Sequence, residues 1–369
     1  MVDPIAVAVP GFFALIGVEL AVARKKGVRV YRLADSITDL SCGVSSQIEA
    51  MFMAAAQLAV YAFVFTRFKL VELHGWQAWL VAFFGVDFLY YWWHRLSHEV
   101  NVLWAAHVVH HQSEDYNLAV ALRQSITTGW SAVPFYLPLA VMGVPPLVFA
   151  ITHALSTLYQ FWIHTQLVGK IHGPIDWILN LPSHHRVHHA VNPQYLDKNY
   201  AATLIIWDRI FGTYVEEEEP CVFGITKPLA SFNPFWAQTH YFVELAKRTV
   251  RLGGFDKVRV WLASPAWNGR GETKYSADVH ARPKYDVKAS RKTRAYVFAQ
   301  YILLLAATSA LMFAHGKMAP MVLAASCAAL AGGLVSMGAL LEEKRWGKTL
   351  EVARLAATVV AVILIVRSR

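Results

Sequence analysis

Long apolar runs alternate with short basic or polar stretches along this chain, and several runs have the length of a membrane helix. About 20 apolar residues cross a bilayer. Runs of that order lie at about 4–23, 47–66 and 76–93, with three more at about 295–314, 319–340 and 350–366. Two further helices are expected within 130–165, split by Gly143-Val144-Pro145-Pro146. That tetrapeptide cannot continue a helix, so the stretch predicts a helical hairpin. The expected fold class is all-α, a polytopic integral membrane helical bundle. Its expected organisation is N-terminal transmembrane helices in 1–75, a catalytic core in 76–220, a cytoplasmic connecting region in 221–294 and C-terminal transmembrane helices in 295–369.

Composition supports the membrane reading. The chain of 369 residues is 56% hydrophobic and 16% charged, where soluble domains carry about 25% charged residues. Its 13 Trp, 15 Tyr and 20 Phe suit a membrane–water boundary. The net charge of +9 reads as a topology signal, and no nucleic-acid partner is expected, because a basic balance alone is a non-specific footprint. Arg24, Lys25, Lys26, Arg29 and Arg32 follow the first run, and 247–294 is rich in Lys and Arg. Both are expected to face the cytoplasm. Arg367 and Arg369 fit less well, since eight full crossings place them outside; one late segment is then re-entrant or miscounted. The N-terminus lacks a basic n-region and a cleavage site, so it reads as an uncleaved first span. Cys42, Cys221 and Cys327 are far apart and without a C-x-x-C, which supports neither a disulfide framework nor a thiolate zinc site.

The chemistry is carried by histidines. His94 and His98 stand in HRLSH, His107, His110 and His111 in HVVHH, and His185, His188 and His189 in HRVHH. Residues three and four apart share a helical face, so each cluster can aim its rings at one point. A transition metal takes about four to six donors; eight imidazoles are too many for one ion and predict a dinuclear, histidine-rich site. Counting crossings places it on the cytoplasmic side, just past the spans. His164, after the hairpin, stands at the same depth and is a ninth candidate. His184 points about 100° away from His185 on a helix and is expected behind the ligands. His153 reads as a core or substrate-cavity residue, and His74, His240, His280 and His315 are left aside. Among carboxylates, Glu99 is the leading candidate to orient His98 or bridge the metals, with Asp87, Glu114 and Asp115 behind it as acceptors for outer ring N–H groups.

Such a site suits oxygen activation, metal-assisted hydrolysis, or metal handling without turnover. No H-E-x-x-H occurs, because position 102 is Val. Transport would want polar residues within the spans, whereas these clusters lie past them. No G-x-G-x-x-G follows a predicted strand and no P-loop is present, so electrons are expected from a separate protein or a diffusible reductant.

The three boxes in this order, with a hairpin before the last and WDRIFGTY at 207–214, resemble the fatty acid hydroxylase/sterol desaturase superfamily. DFLYYWWHRLSHEVNVLWAAHVVHH, SEDYNLAVALRQS and LPSHHRVHH look most like its alkylglycerol monooxygenase branch. The resemblance implies a di-iron, O2-dependent oxidase acting on a membrane lipid. Its ligands would be His94, His98, His107, His110, His111, His185, His188 and His189, with His164 matching a lone histidine before the last box. Glu99 matches an acidic residue of that branch. The branch also implies tetrahydrobiopterin as external reductant. Alternatives are a sterol or carotenoid hydroxylase or desaturase on the same site, and a non-catalytic membrane metal-binding protein.

Overall fold

The computed structural model describes residues 4–367 except 274, 277 and 288. Among the described residues there are fourteen α-helices and no strand. Five are long and apolar enough to cross a bilayer: α1 (Pro4–Lys26), α2 (Leu33–Phe68), α12 (Arg291–Ala314), α13 (Pro320–Leu341) and α14 (Gly347–Arg367). The third expected span is α3 (Gly75–Glu99), diluted by Gln77, Asp87 and its Trp and Tyr residues. The expected hairpin is α5 (Thr128–Val141) and α6 (Pro146–Trp162), of 14 and 17 residues. Both are shorter than a full crossing. Arg369 lies outside the described residues.

α2 begins fourteen residues before the hydropathy signal does. Its first turns carry Asp35, Asp39 and Ser41, which lower hydropathy, yet all are buried. The protein supplies their partners: Arg123 Nη1 meets Asp39 at 3.0 Å and Ser113 Oγ donates to Asp35 at 2.6 Å. A buried charge is tolerated only with such a partner.

Two hairpins meet tip to tip. Leu70 N donates to Val141 O at 2.8 Å, and Leu73 N to Gly143 O at 3.0 Å. Gly143 has φ +91°, and a Cβ there would stand 2.0 Å from Val71 O. Only glycine fits such a close approach at positive φ. Apolar packing of Tyr61, Phe65, Val86, Trp93, Tyr136 and Leu139 fills the space between the hairpins. Thus α3 descends, α5 rises and α6 descends again, bringing residue 164 back beside residue 110.

The histidine boxes occupy short elements at the open end of this bundle. α3 runs on through His98, and α4 (Asn101–His111) turns beneath it. α7 (Pro174–Ile178), α8 (Pro182–His189) and α9 (Ile206–Ile210) follow the hairpin; α10 (Pro234–Arg251) and α11 (Asp256–Leu262) then pack against α4. A core of Ala105, Leu245, Val260 and Trp267 holds that last contact.

Candidate metal centre

All nine histidines of the expected set converge in two groups. His94, His98, His107, His111 and His188 form one, and His110, His164, His185 and His189 the other. Within each group one nitrogen per ring lies within 4.8 Å of all the others, and every ring is buried. The groups interlock, since His111 and His189 stack at 4.4 Å between ring centroids.

The outer ring nitrogens decide the state of the inner ones. Nδ1 of His94 faces Tyr200 O at 2.7 Å, His110 faces Arg123 O at 3.0 Å, His164 faces Gln160 O at 2.7 Å, and His188 faces Lys198 O at 3.0 Å. A carbonyl only accepts, so each Nδ1 carries the proton and each Nε2 of a neutral ring is a bare lone pair. Burial pushes His110 down to about 4 and holds His107, His111, His164, His185, His188 and His189 well below the usual imidazole range, with neighbouring imidazoles mostly adding to it. Those seven rings are therefore neutral at pH 7. Inner nitrogens approach in a chain: His94 to His107 at 2.9 Å, His107 to His111 at 3.1 Å, His164 to His185 at 3.0 Å and His185 to His189 at 3.2 Å. His98 Nε2 and His188 Nε2 are buried with no hydrogen-bond partner among the described residues. Lone pairs gathered in this way form donor sets that could hold metal ions, and neutral imidazole suits Fe, Zn, Cu and Ni.

A scaffold fixes those carbonyls. Asp87 accepts from Thr203 N, Leu204 N and Trp207 Nε1 at 2.8–3.0 Å. Asp208 accepts from Tyr200 N and Ala201 N at 2.8 Å and from Thr213 Oγ1 at 2.6 Å. Burial raises Asp208 to about 6. Together they clamp the turn that offers Tyr200 O to His94. Arg123, fully buried, donates to Val109 O and Gln112 Oε1 at 2.6 Å and offers its own carbonyl to His110. Arg186 donates to Glu217 twice, at 2.8 and 2.6 Å, and to Thr165 O and Val168 O, tying α8 to the turn that bears His164.

Several expected positions lie elsewhere. Glu99 accepts from Arg95 Nε at 2.9 Å rather than from an imidazole. Adjacent helical residues diverge by about 100°, so Glu99 cannot follow His98 inward. The carboxylate beside His98 is Asp197, 3.6 Å from Nδ1. Asp87 acts on the 203–207 turn and bonds no imidazole among the described residues. Asp115 binds Arg32 and Lys284, and Glu114 accepts from Tyr285 N, so both fasten the connecting region to the core. His184 turns to Asp176 at 2.9 Å. His153 sits among Tyr136 and Phe149 in the hairpin.

The floor of a cleft of about 1440 Å³ exposes His98, His111, His188 and His189, so it reaches both groups. Its walls include Trp104, Trp236 and His240. His240, set aside on sequence grounds, is held at 3.2 Å by Gln112. Only its surroundings reveal it, since no second histidine lies at helical spacing.

Residues 79–213 match the fatty acid hydroxylase family. Alkylglycerol monooxygenase of Xenopus tropicalis is 38% identical over 353 residues, covering 93% of this chain and 78% of the relative. The chain belongs to the fatty acid hydroxylase family. The human alkylglycerol monooxygenase is 40% identical over 314 residues, covering 82% of this chain and 70% of that protein. An ornithine lipid hydroxylase of Rhizobium tropici is 30% identical over 140 residues, covering 37% and 42% of the two chains. No solved structure matches. The chain is thus an oxidoreductase and a membrane lipid hydroxylase, and metal binding without turnover does not describe it.

Proposed function

We propose that this protein is a di-iron, O2-dependent monooxygenase that oxidises the alkyl chain of an ether lipid of the alkylglycerol class. The observation that carries the reading is the pair of interlocked groups of five and four buried imidazole nitrogens. His94, His98, His107, His111 and His188 would hold one iron, and His110, His164, His185 and His189 the other. Two irons bound there would supply the redox chemistry that activates O2. The full stoichiometry adds one oxygen atom to a C–H bond and releases the other as water, at a cost of two electrons and two protons from an external donor. A diffusible reductant such as tetrahydrobiopterin, or a separate redox protein, fills that role.

The chain's own residues do the rest. Carbonyls of Tyr200, Arg123, Gln160 and Lys198 keep the proton on Nδ1 and the lone pair on Nε2. Burial shields the rings from bulk water except at the cleft floor, where His98, His111, His188 and His189 are reached. The cleft delivers the lipid chain to His98 and His111, with Trp104 beside His98 at 4.9 Å. Hydroxylation at the carbon next to the ether oxygen gives a hemiacetal, which collapses to an aldehyde and an alcohol. The site faces the cytoplasm by the basic residues that flank the spans.

Purified protein reconstituted with iron tests the proposal. About two irons per chain and O2-dependent release of aldehyde from alkylglycerol, read by mass spectrometry, are expected. Turnover confined to sterols, or full activity without iron, would overturn it.

A further inference from the structure

We infer that α10 and α11 lie in the headgroup layer of an anionic bilayer and set the mouth of the metal cleft there. The inference rests on the lipid-oxidase reading above for its purpose, but its evidence is separate.

α10 has three faces. Ala237, Gln238 and Leu245 are buried against α4 and α2. A third of a turn around the wheel, Trp236, His240, Glu244, Lys247 and Arg251 line the cleft. The remaining face carries Phe235, Thr239, Phe242, Ala246 and Val250, spaced three and four apart. Phe242 leans partly on the Trp267 core, but the two ends of this face are open: Phe235 is 66% exposed and Val250 82%. The stripe continues past the Gly253-Gly254 turn into α11, where Phe255 is 76% and Leu262 62% exposed. A soluble surface rarely carries so many large apolar groups in one row.

Charge and position select the occupant. Residues 247–262 carry Lys247, Arg248, Arg251, Lys257 and Arg259 against a single acid, Asp256. Arg248 is turned inward to Trp267 O, and Arg259 lies over the Trp267 ring. Lys247, Arg251 and Lys257 have no carboxylate partner among the described residues. An apolar stripe edged by free cations is the pattern of a helix lying in a negatively charged membrane interface. α10 also starts at the membrane rim. Ser231 Oγ donates to Glu342 at 2.8 Å at the end of α13, and Phe232 O packs so tightly on Gly338 that a Cβ would come within 2.3 Å. With α10 in the headgroup layer, the cleft face one third of a turn away opens beside lipid, and a chain can slide from the bilayer to His98 without crossing water.

The test uses the full chain in lipid nanodiscs, with Cys221→Ser to remove the one partly accessible thiol. A fluorophore is placed at Val250→Cys or Phe255→Cys, with Glu272→Cys on the cleft rim as control. Quenching of the first two by headgroup-proximal nitroxide lipids, stronger in phosphatidylglycerol than in phosphatidylcholine discs, is expected, with iodide quenching only the control. Iodide quenching at all three positions, or protection only after a redox protein is added, overturns the inference. The double variant Phe255→Asp, Leu262→Asp should keep its metal. It should lose about tenfold in turnover of a long-chain membrane substrate while keeping turnover of a short, dispersed ether analogue. Equal loss on both substrates contradicts the inference. Wild-type protein inert toward both would overturn the oxidase reading and leave the quenching result standing.

Discussion

His110 and His164 point Nε2 at each other across 3.2 Å, and neither has a proton to give. Each Nδ1–H is already spent on a carbonyl, Arg123 O for His110 and Gln160 O for His164. Two facing lone pairs repel unless a cation sits on them. Replacing His110 should therefore empty one group and spare the other. His110→Ala is expected to bind about one metal where the wild type binds about two, with turnover lost. Plasma mass spectrometry of the purified protein gives the count, and an unchanged count removes His110 from the ligand set.

The clamp on the Tyr200 turn should matter without touching metal. Asp87→Asn keeps the size but sets an amide among three N–H donors, Thr203, Leu204 and Trp207. A cost of about 1–3 kcal/mol in stability and a 10- to 100-fold loss in metal affinity are expected. Thermal unfolding and chelator competition measure the two, and a variant with wild-type affinity shows that His94 is oriented by something else.

Arg123 and Asp39 form an ion pair with almost no solvent contact. Removing one partner leaves the other charge buried, which costs about 3–5 kcal/mol. Arg123→Met should be poorly folded, and Asp39→Asn in the same chain should recover much of the loss. Thermal melting of the single and double variants in detergent checks this; additive losses would mean that the pair is not coupled.

Acid should unfold the metal-free protein before it unfolds the loaded one. Imidazoles of an unfolded chain take up protons below about pH 6.5, whereas burial keeps His110 neutral down to about 4. Across that window the unfolded state binds more protons, so stability falls as pH falls. The six other rings that burial holds well below the usual imidazole range add to the loss. Melting temperatures of the metal-free protein at pH 7.5 and 5 test the sign; equal or higher stability at pH 5 contradicts it.

The structure reverses the forecast for Glu99 and adds Asp197, which the sequence did not single out. Glu99 holds only Arg95 on a half-exposed helical face, a contact worth about 0.3–0.5 kcal/mol. Glu99→Gln should leave metal content and turnover within about twofold. Asp197→Asn, beside His98, should weaken metal affinity measurably. Titration with a colorimetric chelator ranks the two variants, and a larger effect at Glu99 reverses the assignment.

Much of the gathering of nine imidazoles was legible, because helical spacing alone puts His94 with His98, His107 with His111 and His185 with His189. His164 was visible by its depth after the hairpin. What spacing could not show is which way a neighbour turns: Glu99 was drawn inward by adjacency, and the helix sends it out. The scaffold was equally hidden. Arg123, Asp208 and Glu217 act through backbone contacts formed by distant turns, and no local pattern marks a carbonyl that will face a ring. The early start of α2 was masked by Asp35 and Asp39, whose polarity reads as solvent until Ser113 and Arg123 are seen beside them. The cleft wall contributed by α10 and the turns on either side of it lies beyond the matched family segment 79–213, and no histidine pair at helical spacing marks it in the sequence.

Because the donors of the second group come from α4, from the turn after α6 and from α8, no ion can be fully caged until the ribosome has passed residue 189 and the intervening hairpin has been inserted. Each bound ion then staples together segments up to 94 residues apart (His94 to His188), a cross-link that suppresses the freedom of the unassembled chain far more than any local contact does. Metal loading would thereby be a late checkpoint of biogenesis: starved of the metal, cells should accumulate inserted but loosely assembled polypeptide, a ready target for membrane proteases.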